Sequence, residues 1–106
     1  MNATKLNTKR QQLLRSEDVR RVRQTAAGAA VLSLVLAELP LGYTVRHRLM
    51  ASDTELFFDL YEPQLGKGDG WALTSMAYPE SMPAHTMATA ILNQCAFTIE
   101  QRGNVG

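Results

Sequence analysis

Residues 26–39, AAGAAVLSLVLAEL, constrain this chain more than any other stretch, because apart from Ser33 and Glu38 they are all Ala, Gly, Val or Leu. At helical spacing such a run has almost no polar face, and a helix that is apolar all round has to be covered on every side by sheet, partner chain or lipid. If one face lies on a sheet of the same chain, the opposite face, with Ala27, Ala30, Val31 and Leu34, needs a second surface. Gly28 costs a helix roughly 1 kcal/mol relative to Ala, and a close helix approach is a reason to keep it. Ala27, Gly28, Ala30, Val31 and Leu34 are therefore the expected interface of a homodimer. The size of the chain favours that expectation, since 106 residues make only a modest core and self-association adds burial.

Lipid is the weaker covering. Extended to Val45 the run reaches about the 20 residues that a bilayer span requires, but Glu38, Pro40 and Gly42 fall inside it and an acid within a span is costly. The apolar run begins only behind a long polar lead, so no signal peptide is expected. Cys95 is the only cysteine, which leaves no intrachain disulfide. The expected setting is cytoplasmic, with no membrane partner.

Along the chain, residues 1–8 are polar and lack periodicity, and they are expected as an arm. Thr8 with Gln11 makes one possible capping box, and Ser16 ahead of Glu17 and Asp18 makes another N-cap. The segment 9–39 is then either two helices meeting at Ser16 or one long helix. Val19, Val22, Ala26, Ala29, Ser33 and Leu36 form one stripe at helical spacing, and Pro40 and Gly42 stop the helix. Residues 42–50 alternate Tyr43, Val45, His47 and Leu49 with Thr44, Arg46, Arg48 and Met50, the period of a strand with one solvated face.

The next segment, 51–63, is double-edged, because Ser52 and Glu55 form a capping box whereas Leu56, Phe57, Phe58 and Tyr61 favour a strand. A four-residue loop over 51–54 sets Val45 opposite Leu60, His47 opposite Phe58, Leu49 opposite Leu56 and Arg46 opposite Asp59. This register puts apolar pairs on one face and an opposite-charge pair on the other, which favours the strand. QLGKGDG over 64–70 reads as a turn, residues 71–78 as a third strand, and 83–103 as an amphipathic helix with Pro83 in its first turn and Gly103 at its end. The fold class is α+β: an N-terminal helix, a three-stranded antiparallel meander and a C-terminal amphipathic helix, in a single domain over 9–103 with a short tail over 104–106.

No motif for catalysis, cofactor or metal emerges. His47, His85 and Cys95 have no metal-ligand spacing, and Cys95 falls on the apolar stripe of the last helix. GKGDG lacks the spacing of a phosphate loop and precedes a strand. Charge is more informative. Residues 1–25 carry seven Lys and Arg against two acids, while 49–80 carry six acids against Lys67. Such a split either steers partners or lets two parts of one fold attract each other.

Two binding surfaces follow. The acids Asp53, Glu55, Glu62 and Asp69 on the hairpin edge, beside Phe57 and Trp71, suit a basic protein partner. Arg20, Arg21 and Arg23 suit nucleic acid. The leading functional expectation is a non-enzymatic protein-protein interaction module, an adaptor or inhibitor acting as a homodimer. The alternative is a nucleic-acid-binding regulator.

Overall fold

In the computed structural model the described residues are 3–52, 54–63 and 72–105, with side chains described for all of these except 3–7, 13–15, 104 and 105. The expected turn over 64–70, together with Asp53 and Trp71, lies outside them. Five elements follow one another: α1 (Ala3–Leu36), β1 (Thr44–Arg48), β2 (Glu55–Tyr61), β3 (Thr74–Pro79) and α2 (Ala84–Val105). The strands form one antiparallel sheet in the order β1-β2-β3.

One uninterrupted α1 replaces the two-helix possibility, and it starts before the expected boundary at Lys9. Neither Pro nor Gly occurs between Ala3 and Ala27, so the capping signals at Thr8 and Ser16 have no break in the helix to act on. The segment expected as an arm is accordingly helical from Ala3. The helix stops where Pro40 requires it. Beyond Leu36, Tyr43 N–H donates to the Pro40 carbonyl at 3.2 Å, closing a turn in which Gly42 has φ 89°. A side chain there would be strained and would also meet the Pro63 ring.

The hairpin register is as the alternation requires, with Val45 opposite Leu60, Arg46 opposite Asp59 and His47 opposite Phe58. Leu49 falls outside the ladder, because β1 ends at Arg48 and the connection spans 49–54. Ser52, the apparent helix cap, serves that turn instead: its Oγ accepts from the backbone N–H groups of Thr54 and Glu55 at 3.4 and 3.2 Å. Pro79 is tolerated within a strand because β3 is an edge.

Both helices cover the same sheet face. Val31 and Val35 of α1 and Met87, Ile91 and Cys95 of α2 share one core with Val45, Leu56, Phe58, Leu60 and Met76. Pro83, expected within the first turn of α2, instead stands just before it: the helix begins at Ala84, and Met87 N–H donates to the Pro83 carbonyl at 2.9 Å. Its other end differs from expectation. The helix passes through Gly103 to Val105, because Gly103 does not take the left-handed conformation that would make it a cap.

Candidate interaction surfaces

The residues expected to meet nucleic acid diverge. The Arg20 side chain is largely covered and lies 3.8 Å from Glu17. Arg23 reaches out of the helix to Glu80, with its Nε and Nη2 donating to the two carboxylate oxygens at 2.5 and 3.3 Å. Arg21 is exposed. Next to Arg23, the buried Gln24 donates to the Ser52 carbonyl at 2.7 Å, so this turn of α1 is fastened to the β1–β2 connection and to the end of β3.

The acids of the middle segment are spread over several settings. As the meander requires, β2 is the middle strand, with β3 paired along its other side. Glu55 is exposed at the start of β2, and Phe57 is half-buried on the face away from the helices. Glu62 accepts from Arg102 of α2 at 2.9 Å. Asp53, Asp69 and Trp71 lie outside the described residues.

Asp59 is 5% exposed although it sits on the uncovered face. Ser75 Oγ donates to one of its oxygens at 2.6 Å, and Arg48 Nε lies 3.2 Å from the other. Arg46, the expected counter-ion, instead lays its guanidinium over the Tyr61 ring, 4.9 Å from the centroid. It is the register partner of Asp59, but its long side chain extends to a diagonal neighbour, as the spacing of antiparallel strands permits. The middle of the chain thus has three of its acids held by cations from other elements: Asp59 by Arg48, Glu62 by Arg102 and Glu80 by Arg23.

The dimer residues also divide. Gly28 is buried under β1, where an added Cβ would overlap the His47 ring, with Cγ at 2.6 Å and Cε1 at 2.7 Å. The close approach that Gly28 permits is therefore of helix to strand inside one chain. Val31 is in the core, Ala27 and Leu34 pack half-buried against it, and Ala30 is exposed. The face expected to need a second surface is thus largely, Ala30 apart, the one packed inside the chain. What faces outward is Val19, Val22, Ala26, Ala29, Ser33 and Leu36. Val19, Val22 and Leu36 are 62, 72 and 46% exposed.

A concavity of about 680 Å³ lies between the end of α1 and the adjoining side of α2, with Leu39, Leu92 and Ile99 on its walls and Glu38 and Glu100 among its polar groups. It arises where the chain, having left α1 at Leu36, turns away at Pro40 while α2 continues alongside. No spacing in the sequence announces it.

Cys95 borders the cleft, buried, and burial pushes its thiol up to about 11. His47 packs on Phe58 with ring centroids 5.3 Å apart, and burial lowers its pKa. His85 is exposed at the start of α2. Among the described residues no three His, Cys, Asp or Glu side chains are placed to hold a metal ion, and no helix is long and apolar enough to cross a membrane. Comparison with family models, with curated proteins and with solved structures finds no match for this chain.

Proposed function

We propose that the protein is a non-enzymatic interaction module, an adaptor or inhibitor, that works as a homodimer joined through the outward stripe of α1. The observation that carries this reading is the exposure of Val19, Val22 and Leu36 in line with Ala26, Ala29 and Ser33. Their spacing alternates three and four residues, the repeat by which two helices pack side chains into each other's gaps, and the small residues at the middle allow close approach. A second copy offers the same stripe, which makes the surface self-complementary under a two-fold axis.

An antiparallel pairing centred between Ala26 and Ala29 sets Val19 against Leu36 and Val22 against Ser33. It also keeps the two basic N-terminal halves, with Lys9, Arg10 and Arg21, at opposite ends of the dimer. The non-enzymatic part of the reading is supported by the state of the nucleophile and the base. Burial keeps the Cys95 thiol protonated at neutral pH and keeps His47 packed and uncharged.

Light scattering at micromolar concentration tests the reading. The intact protein should show twice the 11.7 kDa chain mass, and Val22→Glu, which places a charge on the stripe without touching the core, should return the single-chain mass. A monomeric wild type overturns it.

A further inference from the structure

We infer that the cleft between the end of α1 and the side of α2 binds a small organic cation, an apolar body carrying a primary amine or guanidinium. The inference concerns a different surface from the outward stripe of α1 and does not rest on dimerisation.

The volume, about 680 Å³, is in the range of small-molecule sites, which are mostly apolar with a few polar groups that fix orientation. Leu39, Leu92 and Ile99 are half-buried, so each retains apolar surface for a ligand to cover. Beside the neutral Asn93, the charged groups have one sign. Glu38 and Glu100 both border the cleft and both are exposed, while no Lys, Arg or His is among the described residues that border it. Neither carboxylate makes an ion pair among the described residues, in contrast to Asp59, Glu62 and Glu80, which are each held by an arginine. An anionic ligand would meet two like charges. A neutral apolar one would fill the cleft but gain nothing from the two carboxylates, whereas a cation with an apolar body uses both features.

Dansylcadaverine, a naphthalene ring on a pentylamine tail, is the probe, and dansylamide, with the same ring and no charge, is its control. Calorimetric titration should give saturable binding of one dansylcadaverine per chain and markedly weaker binding of dansylamide. Glu38→Gln combined with Glu100→Gln should weaken the amine by roughly three- to tenfold, as expected for two partly solvated charge contacts, and leave the amide unchanged. Ala96→Phe places a ring in the cleft from an exposed position and should abolish binding of both while leaving the light-scattering mass unchanged. Circular dichroism of each variant confirms that it is folded.

Equal affinity for amine and amide overturns the charge assignment. Binding that survives Ala96→Phe overturns the site. An absence of dansylcadaverine binding at millimolar concentration overturns the inference, as does a fall in mass caused by Ala96→Phe, which would make the cleft a contact between copies.

Discussion

Gly28 and His47 are the point at which α1 and the sheet approach most closely, and the contact reverses an ordinary rule. Gly→Ala inside a helix usually stabilises by about 0.5–1 kcal/mol. Here the new Cβ would sit inside the His47 ring, which is backed by Phe58 and cannot simply withdraw. Gly28→Ala should therefore destabilise by about 1–3 kcal/mol in urea unfolding, and His47→Ala in the same chain should recover much of the loss, because the two sites are directly coupled. The reason to keep a glycine was legible in the sequence, but its partner was not: close approach is a property of one residue, whereas what approaches is decided by the helix's rotation. His47 adds a pH dependence. Burial lowers its pKa, so the unfolded chain binds the proton more readily than the folded one. The stability contributed by the neutral ring is present in full above the unfolded pKa of about 6.5, and is lost as pH falls through the lower folded value. The urea midpoint should drop as pH falls below about 6.5, a slope that His47→Gln should reduce.

At the scale of elements, the meander was legible because strand alternation allows only one register that buries its apolar set, and Val45, His47, Leu56, Phe58 and Leu60 specify it together. The rotation of α1 was not legible for the complementary reason. A helix apolar on every side gives no periodic signal of which side faces in, and the residues that decide it are few and polar: Gln24 binds the Ser52 carbonyl and Arg23 binds Glu80. Once those two fix the upper turns, Val31 and Val35 follow inward and the Val19–Leu36 stripe is left outside. Chain direction in the proposed dimer can then be read by cross-linking. Mixed chains carrying Val19→Cys in one and Leu36→Cys in the other should form a disulfide faster than either variant alone, because the antiparallel arrangement apposes these two positions. Preferential linkage of Val19→Cys to itself would instead mean a parallel pair.

Across the whole molecule, three acids of the middle segment are held by arginines of the same chain, only one of which, Arg23, comes from the basic beginning. Arg23 bridges α1 to the turn after β3, Arg102 bridges α2 to the end of β2, and Arg48 bridges β1 to β2. These pairs differ in how much water they exclude, and that difference ranks them. The Arg102–Glu62 and Arg23–Glu80 pairs each include a well-exposed arginine, and such pairs contribute on the order of 0–1 kcal/mol and weaken with salt. Asp59 is nearly sealed beneath its neighbours, and its carboxylate accepts from Ser75 as well as facing Arg48, so removing it loses both contacts and opens a hole in the sheet's outer face. Asp59→Ala should cost about 1–3 kcal/mol, whereas Glu62→Gln and Glu80→Gln should each cost under about 1 kcal/mol. Urea unfolding in 0.05 M and 1 M sodium chloride measures both parts: the two exposed variants should converge on the wild type at high salt, while Asp59→Ala should keep its deficit. If instead all three deficits vanish together in salt, the Asp59 contact is a screened surface pair like the others, and the hydrogen bond from Ser75 contributes little to holding β2 against β3.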